Sequence, residues 1–165
     1  NKSIVCLPEF ITSFEIRMKQ IPFDVSSLID PISLTYSPNI FYEMLEREIR
    51  RCERTESEIS LIAIDLSMSE ISSQEMIEVL IKISIIIRQK LRSDEFFSRI
   101  GLETLVILIH GNELEASIVL DRLKDGFTEL EKTMNESSNS LQVSTKIIKR
   151  ERGFNLIDWL EVAAL

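Results

Sequence analysis

The residues best suited to chemistry lie in a predicted hairpin of two short strands. The first strand contains Arg99, a lone glycine follows at Gly101, and the second strand begins near Glu103. A single glycine between two strand-like runs indicates a tight turn or a close approach of the backbone to another group. Asp65 lies near the end of another predicted strand. If the two carboxylates are adjacent they could hold one Mg²⁺ or Ca²⁺ weakly, and otherwise they are solvated side chains without a ligand.

The overall composition narrows the class of protein. The chain has 165 residues, 44% of them hydrophobic, which suits one compact domain with a sizeable core and a short appendage. Its 27 acidic and 19 basic residues give a net charge of −8, which would repel a nucleic-acid backbone. No apolar run reaches the roughly 18–20 residues of a membrane span. Cys6 and Cys52 offer neither a metal spacing nor a disulfide framework, so we expect a reducing, cytoplasmic environment.

Hydrophobic periodicity predicts the order of the helices and strands. Residues 1–29 form a separate block in which Phe10, Phe14 and Met18 recur every four residues, as in a linker helix or the end of an upstream domain. Because there is no initiator Met, we expect a piece of a longer protein. Ser37 is expected to cap the next helix with its hydroxyl. The elements predicted beyond residue 29 are a helix from Pro38, a strand at 59–66, a helix at 73–91, strands at 95–100 and 103–109, a helix at 113–133, a strand at 141–148 and a helix at 155–164.

This order predicts an α+β sandwich of the ferredoxin-like kind, with a mixed or antiparallel sheet of about four to five strands covered by helices. The hairpin resembles the signature of the GGDEF family, bacterial domains that condense two GTP molecules into cyclic di-GMP on a palm-type sheet. Gly101-Leu102-Glu103-Thr104-Leu105 stands where that family has Gly-Gly-Asp/Glu-Glu-Phe. Weaker similarities occur at 30–41, 62–66 and 143–147. The resemblance implies a degenerate domain of the same fold over residues 30–165.

The resemblance also implies that the catalytic site has lost several parts. In the family, two divalent cations held by carboxylates activate the attacking hydroxyl and neutralise the leaving pyrophosphate. Asp65 and Glu103 match two of the metal-binding positions, but Thr104 replaces a Glu and carries no charge at neutral pH. Leu102 replaces a glycine that leaves room for the substrate, and the segment after Asp65 lacks the family's guanine-gripping residues. We expect no diguanylate cyclase activity and no cofactor beyond a weakly bound Mg²⁺.

A second, product-binding site outside the catalytic cleft is also implied. In the family, it uses an Arg-x-x-Asp motif before the signature and an Arg from the following helix. The guanidinium groups bind phosphate and guanine in a bidentate manner, and the carboxylate accepts hydrogen bonds from guanine. Here the corresponding residues are Arg92, Glu95 at the Asp position with Asp94 beside it, and Arg122. The alternative is a charged helix end whose basic residues suit the C-terminal dipole.

Three functions are compatible with these residues. The first is a catalytically inactive signalling domain that acts as a receptor for cyclic di-GMP, which the retained Arg92, Glu95 and Arg122 favour. The second is a dimerisation or protein-docking module that binds no nucleotide, with a partner protein or a second copy as its ligand. The third is a residual enzyme, either a weak diguanylate cyclase or another purine-nucleotide enzyme. We expect no nucleic-acid partner and no membrane-spanning segment.

Overall fold

The computed structural model describes residues 28–68, 72–136, 140–150 and Trp159. This part of the chain forms helix α1 (Pro38–Thr55), strand β1 (Ile59–Met68), helix α2 (Ser73–Lys90), strands β2 (Phe96–Arg99) and β3 (Thr104–His110), helix α3 (Glu113–Asn135) and strand β4 (Leu141–Lys149). The predicted linker helix and, apart from Trp159, the predicted final helix lie outside the described residues. None of the described helices is both long and apolar enough to cross a bilayer.

The four strands form one antiparallel sheet in the order β2-β3-β1-β4. The central strand β1 pairs with both β3 and β4, and Asp65 lies opposite Thr104 on one side and Ser144 on the other. The β-branched and apolar sequence of β1 suits a strand that is covered on both faces. The prediction of an α+β, ferredoxin-like sheet is confirmed, and all of its described strand pairs are antiparallel.

Helices cover both faces of the sheet, so alternate residues of β1 enter two different cores. Ile62 and Ile64 pack into the larger core with α2 and α3. Leu61 and Ala63 point the other way and pack with α1. Trp159 is also buried in this second core. Because helices cover both faces of the sheet, polar side chains can cluster at the ends of the strands and in the loops between them.

The three helix starts are fixed in different ways. Ser72 and Asn112 begin α2 and α3, each in a reciprocal capping box with a Glu three residues later. The expected cap by the hydroxyl of Ser37 is wrong, because that side chain makes no capping hydrogen bond. Backbone contacts fix Ser37 instead: its N–H donates to the Leu28 carbonyl oxygen at 3.0 Å, and its own carbonyl oxygen accepts from Phe41.

Candidate functional site

The turn between β2 and β3 is closed by the backbone of Thr104. The N–H groups of Ile100 and Gly101 both donate to the Thr104 carbonyl oxygen, at 3.0 and 3.2 Å. A Cβ atom added to Gly101 would lie 3.3 Å from the Cβ atom of Thr104, which is a tight contact. Glycine therefore fits this position because the turn brings Thr104 close to it, and the predicted tight turn is confirmed.

The side chains after this glycine point in different directions. Leu102 is half-buried and packs against the core under α2 and α3, whereas the side chain of Glu103 is exposed. Leu105 is fully buried at the start of β3. The carbonyl oxygen of Glu103 accepts a hydrogen bond from the Leu66 N–H at 2.9 Å, which brings the hairpin turn next to Asp65. The two predicted metal-binding residues therefore lie at the same end of the sheet.

A hydrogen bond across the sheet engages the Asp65 carboxylate. The hydroxyl of Thr104 donates to Asp65 Oδ1 at 2.7 Å, between two residues that are register partners on β1 and β3. Within the described ranges, no three His, Cys, Asp or Glu side chains gather so as to hold a metal ion. One carboxylate bonded to a hydroxyl and one exposed carboxylate do not fit a centre for two hard cations, which need several oxygen ligands each.

The second predicted site is a cluster formed by the 92–95 turn and α3. Arg122 Nη2 lies 2.9 Å from Glu95 Oε1 and 3.2 Å from Oε2. Arg122 Nη1 also donates to the carbonyl oxygen of Lys90 at 2.8 Å. Glu95 Oε2 accepts from the backbone N–H of Arg92 at 2.7 Å. The side chain of Glu95 is 7% exposed and that of Arg122 is 29% exposed, so this ion pair is largely shielded from water.

The other two predicted residues of the cluster are exposed. The side chains of Arg92 and Asp94 face solvent, and they line a cavity of about 100 Å³ together with Glu95 and Arg122. On the other side of Glu95 lies a larger cavity of about 320 Å³, which Arg92 and Phe97 also line. The structure therefore brings all four predicted residues to one surface, with Arg92 and Glu95 bordering both cavities.

The sequence analysis missed a buried ion pair between the opening segment and β2. Arg99 is 0% exposed and Asp30 is 1% exposed. Arg99 donates to Asp30 through Nε at 3.0 Å and through Nη2 at 2.7 Å. The N–H and hydroxyl of Ser33 also donate to Asp30, at 2.9 and 2.5 Å. The sequence contained one signal for this pair: Arg99 lies inside an apolar strand, and a buried charge requires a partner of opposite charge.

The Asp30 carboxyl group titrates under opposing influences. Burial raises its pKa, but the hydrogen bonds from Arg99 and Ser33 and the positive charge of Arg99 outweigh burial. The pKa of Asp30 therefore lies below its ordinary value of 3.8. The carboxyl group is ionised at neutral pH, and it ties the opening segment to the hairpin.

Further contacts anchor the opening segment to α2 and β2. Arg88 Nη2 donates to the carbonyl oxygens of Ser33 and Leu34, at 2.6 and 3.0 Å. The Thr35 hydroxyl donates to the Phe97 carbonyl oxygen, and the Ser98 hydroxyl donates to the Tyr36 carbonyl oxygen at 2.8 Å. These bonds satisfy polar groups along the outer edge of β2, and they place the segment next to the larger cavity.

His110 has an acidic partner that sequence analysis did not foresee. Its Nε2 atom lies 2.9 Å from Glu48 Oε2 on α1, and both side chains are about three-quarters buried. Burial raises the pKa of Glu48, but hydrogen bonds and charges from Arg51 and His110 lower it below its usual value. The contact forms because Glu48 lies on α1, which packs across the sheet at that point.

The sheet order, the helices on both faces and the hairpin turn beside Asp65 define a palm-type α+β domain. The sequence profile described as "Diguanylate cyclase, GGDEF domain" matches residues 27–148. The chain belongs to the GGDEF family. No curated protein sequence gives a significant match to it.

Solved structures with the same fold include two that were determined with a binding partner. The GGDEF domain of DgcB from Caulobacter crescentus, in complex with c-di-GMP, is 19% identical with a TM-score of 0.67, over 84% of this chain and 86% of that one. The diguanylate cyclase SiaD from Pseudomonas aeruginosa, in complex with its activator SiaC, is 16% identical with a TM-score of 0.67, over 95% and 61%. The FimX GGDEF domain from Pseudomonas aeruginosa is 16% identical with a TM-score of 0.65, over 84% and 90%. At these identities the similarity establishes the fold.

Proposed function

We propose that this chain is a GGDEF domain without diguanylate cyclase activity, and that it serves as a cytoplasmic receptor for cyclic di-GMP. The observation that carries the receptor function is the convergence of Arg92, Glu95 and Arg122 from two elements onto one surface. Cyclic di-GMP presents two phosphates and two guanine bases. Guanidinium groups beside a carboxylate can bind both kinds of group by charge-assisted hydrogen bonds.

The hairpin supports the absence of catalysis. Phosphodiester formation from two GTP molecules needs carboxylates that hold two divalent cations. Here the hydroxyl of Thr104 bonds to Asp65 at 2.7 Å, where a second carboxylate would contribute charge to the metals. Leu102 also places a bulky side chain in the turn, half-buried against the core. We propose that the domain has no resident cofactor and that a Mg²⁺ at Asp65 and Glu103 would bind weakly.

An activity assay tests the absence of catalysis directly. The protein is incubated with GTP and Mg²⁺ or Mn²⁺, and cyclic di-GMP is measured by chromatography against a sample without protein. We expect no product above that background. The double variant Leu102→Gly, Thr104→Glu should also remain inactive, because the guanine-gripping segment is still absent. Steady product formation by the unaltered chain would refute the proposal.

Calorimetric titration with cyclic di-GMP tests the receptor function. A charge-assisted hydrogen bond contributes about 1.5–3 kcal/mol, so Arg92→Ala and Arg122→Ala should each weaken binding about tenfold or more. Arg50→Ala is a matched control, since Arg50 is an exposed arginine paired with Glu46 on α1. Micromolar binding that Arg92→Ala leaves unchanged would place the ligand elsewhere. A lack of binding at millimolar nucleotide would refute the receptor function.

A docking module is the second candidate, and one surface favours it. Ile81 and Ile85 are 41% and 44% exposed, one turn apart on α2. Leu34 is exposed beside the Arg88 end of the same helix. Sedimentation of the unaltered chain and of Ile81→Ser tests this alternative. A concentration-dependent dimer that the substitution dissociates, without nucleotide binding, would favour the docking module over the receptor.

A further inference from the structure

We propose that Glu95 is an internal competitor for the ligand of its own site. In the ligand-free protein its carboxylate occupies Arg122, and an incoming phosphate must displace it. This inference rests on the receptor function proposed above, and it concerns the regulation of that same site. It predicts that a residue placed where the family uses a ligand-binding carboxylate opposes binding in this chain.

The hydrogen bonds of Arg122 show why the site is self-occupied. Its Nη1 atom donates to the Lys90 carbonyl oxygen, and its Nη2 atom lies against both carboxylate oxygens of Glu95. Its Nε atom is buried and makes no hydrogen bond to the described residues. A two-pronged contact to a phosphate uses two neighbouring guanidinium nitrogens. Both such pairs on Arg122, Nη2 with Nε and Nη2 with Nη1, include Nη2, which already donates to the two carboxylate oxygens of Glu95. A phosphate that takes either pair therefore competes with the Glu95 carboxylate.

The hydrogen bond from Arg122 to Glu95 is the one that can break, because its acceptor is a side-chain carboxylate that can rotate away. The carbonyl oxygen of Lys90 belongs to the last residue of α2 and is fixed by the helix. The Glu95 carboxylate carries the same charge sign as a phosphate, and only rotation of its own side chain is needed to free Arg122. Substituting a ligand phosphate for this carboxylate preserves the charge balance around Arg122.

Release of Glu95 would also change the turn that carries Arg92. Glu95 accepts from the Arg92 N–H at 2.7 Å through its side chain, and its own N–H donates to the Arg92 carbonyl oxygen at 3.2 Å. The side chain of Glu95 therefore holds both Arg122 and the turn, whereas the exposed Arg92 guanidinium makes no hydrogen bond to the described residues. Arg92 can bind the ligand first, and displacement of Glu95 then makes the guanidinium of Arg122 available to the ligand.

Titration of Glu95→Gln with cyclic di-GMP tests this competition. Glutamine keeps the length of the side chain and removes its charge. Because the Arg122 side chain is 29% exposed, water still screens the pair in part and its strength is modest. We therefore expect Glu95→Gln to bind about two- to fivefold more tightly than the unaltered chain. Asp94→Asn removes the same charge from an exposed neighbour on the same turn, and it should give a smaller gain that measures the general field effect. In an Arg122→Ala background the gain from Glu95→Gln should disappear.

The outcomes separate this proposal from the receptor function. If the unaltered chain binds and both Glu95→Gln and Glu95→Ala bind more weakly, Glu95 contacts the ligand: the competition is refuted and the receptor function stands. If only the Glu95 variants bind, the competition is supported and the unaltered chain is not a receptor. If none binds at millimolar nucleotide, both proposals fail. Circular dichroism shows whether each variant is folded. If Glu95→Gln does not fold, the affinity of Glu95→Ala decides whether Glu95 competes with the ligand.

Discussion

Substitution of Arg99 tests how much the buried ion pair with Asp30 contributes to fixing the opening segment to the hairpin. Arg99→Met removes the charge and the two hydrogen bonds to Asp30 while keeping a side chain of similar length. The Asp30 carboxylate would remain almost fully buried, and among the described residues it would keep only Ser33 as a hydrogen-bond partner. Breaking a buried pair by removing one partner costs about 3–5 kcal/mol. That is a large part of the total stability of a small domain, about 5–15 kcal/mol.

Urea denaturation followed by circular dichroism measures this loss. With a slope of about 2 kcal/mol per molar urea, the midpoint of unfolding should fall by about 2 M. Arg50→Met removes an arginine from an exposed pair with Glu46, and it should change the free energy of unfolding by less than about 0.5 kcal/mol. The double variant Arg99→Met, Asp30→Leu should recover part of the loss, since no charge is then left buried without a partner. A loss below about 1 kcal/mol for Arg99→Met would refute the assigned role of the pair.

Two further predictions concern stability. The pKa of Asp30 is lower in the folded chain than its ordinary value of 3.8. Its contribution to stability is therefore complete well above pH 4 and is lost as the pH falls through the folded pKa. Urea midpoints measured between pH 6 and pH 2 should show this loss of stability in acid, and the loss should disappear in Arg99→Met. Gly126→Ala should destabilise the chain by about 1–2 kcal/mol, because the added Cβ would lie 2.7 Å from Ile86 Cγ2 on the neighbouring helix. Thermal unfolding checks this, and combining it with Ile86→Ala should relieve the clash; a gain in stability from Gly126→Ala alone would contradict the close packing of α2 and α3.

The order of the elements was predictable because each carries a local signal. The apolar, β-branched run of β1 and the capping residues of α2 and α3 identify those elements without reference to the rest of the chain. The bounds were less predictable. Helix α3 continues two residues beyond its predicted end, since the buried Met134 holds its last turn against the core. Strand β1 extends to Met68 because Leu141 on β4 pairs with it there.

The candidate site could be predicted as a set of positions but not as a set of contacts. The family motif identified Arg92, Glu95 and Arg122, and the structure places them on one surface. Their bonding was inaccessible, since Arg122 and Glu95 are 27 residues apart and only the packing of α3 decides that they meet. The same holds for Arg99 and Asp30, which are 69 residues apart. Long-range side-chain pairs depend on tertiary geometry, which local patterns do not encode.

The contact between Thr104 and Asp65 explains how a changed signature is compatible with an intact fold. These residues face each other across β1 and β3. A second carboxylate at position 104 would place two like charges directly opposite each other, which destabilises a strand pair unless cations lie between them. The threonine hydroxyl donates to Asp65 at 2.7 Å instead, and so the strand ends are joined by an attractive contact that needs no metal. Thr104 therefore stabilises the hairpin against the central strand without a bound metal.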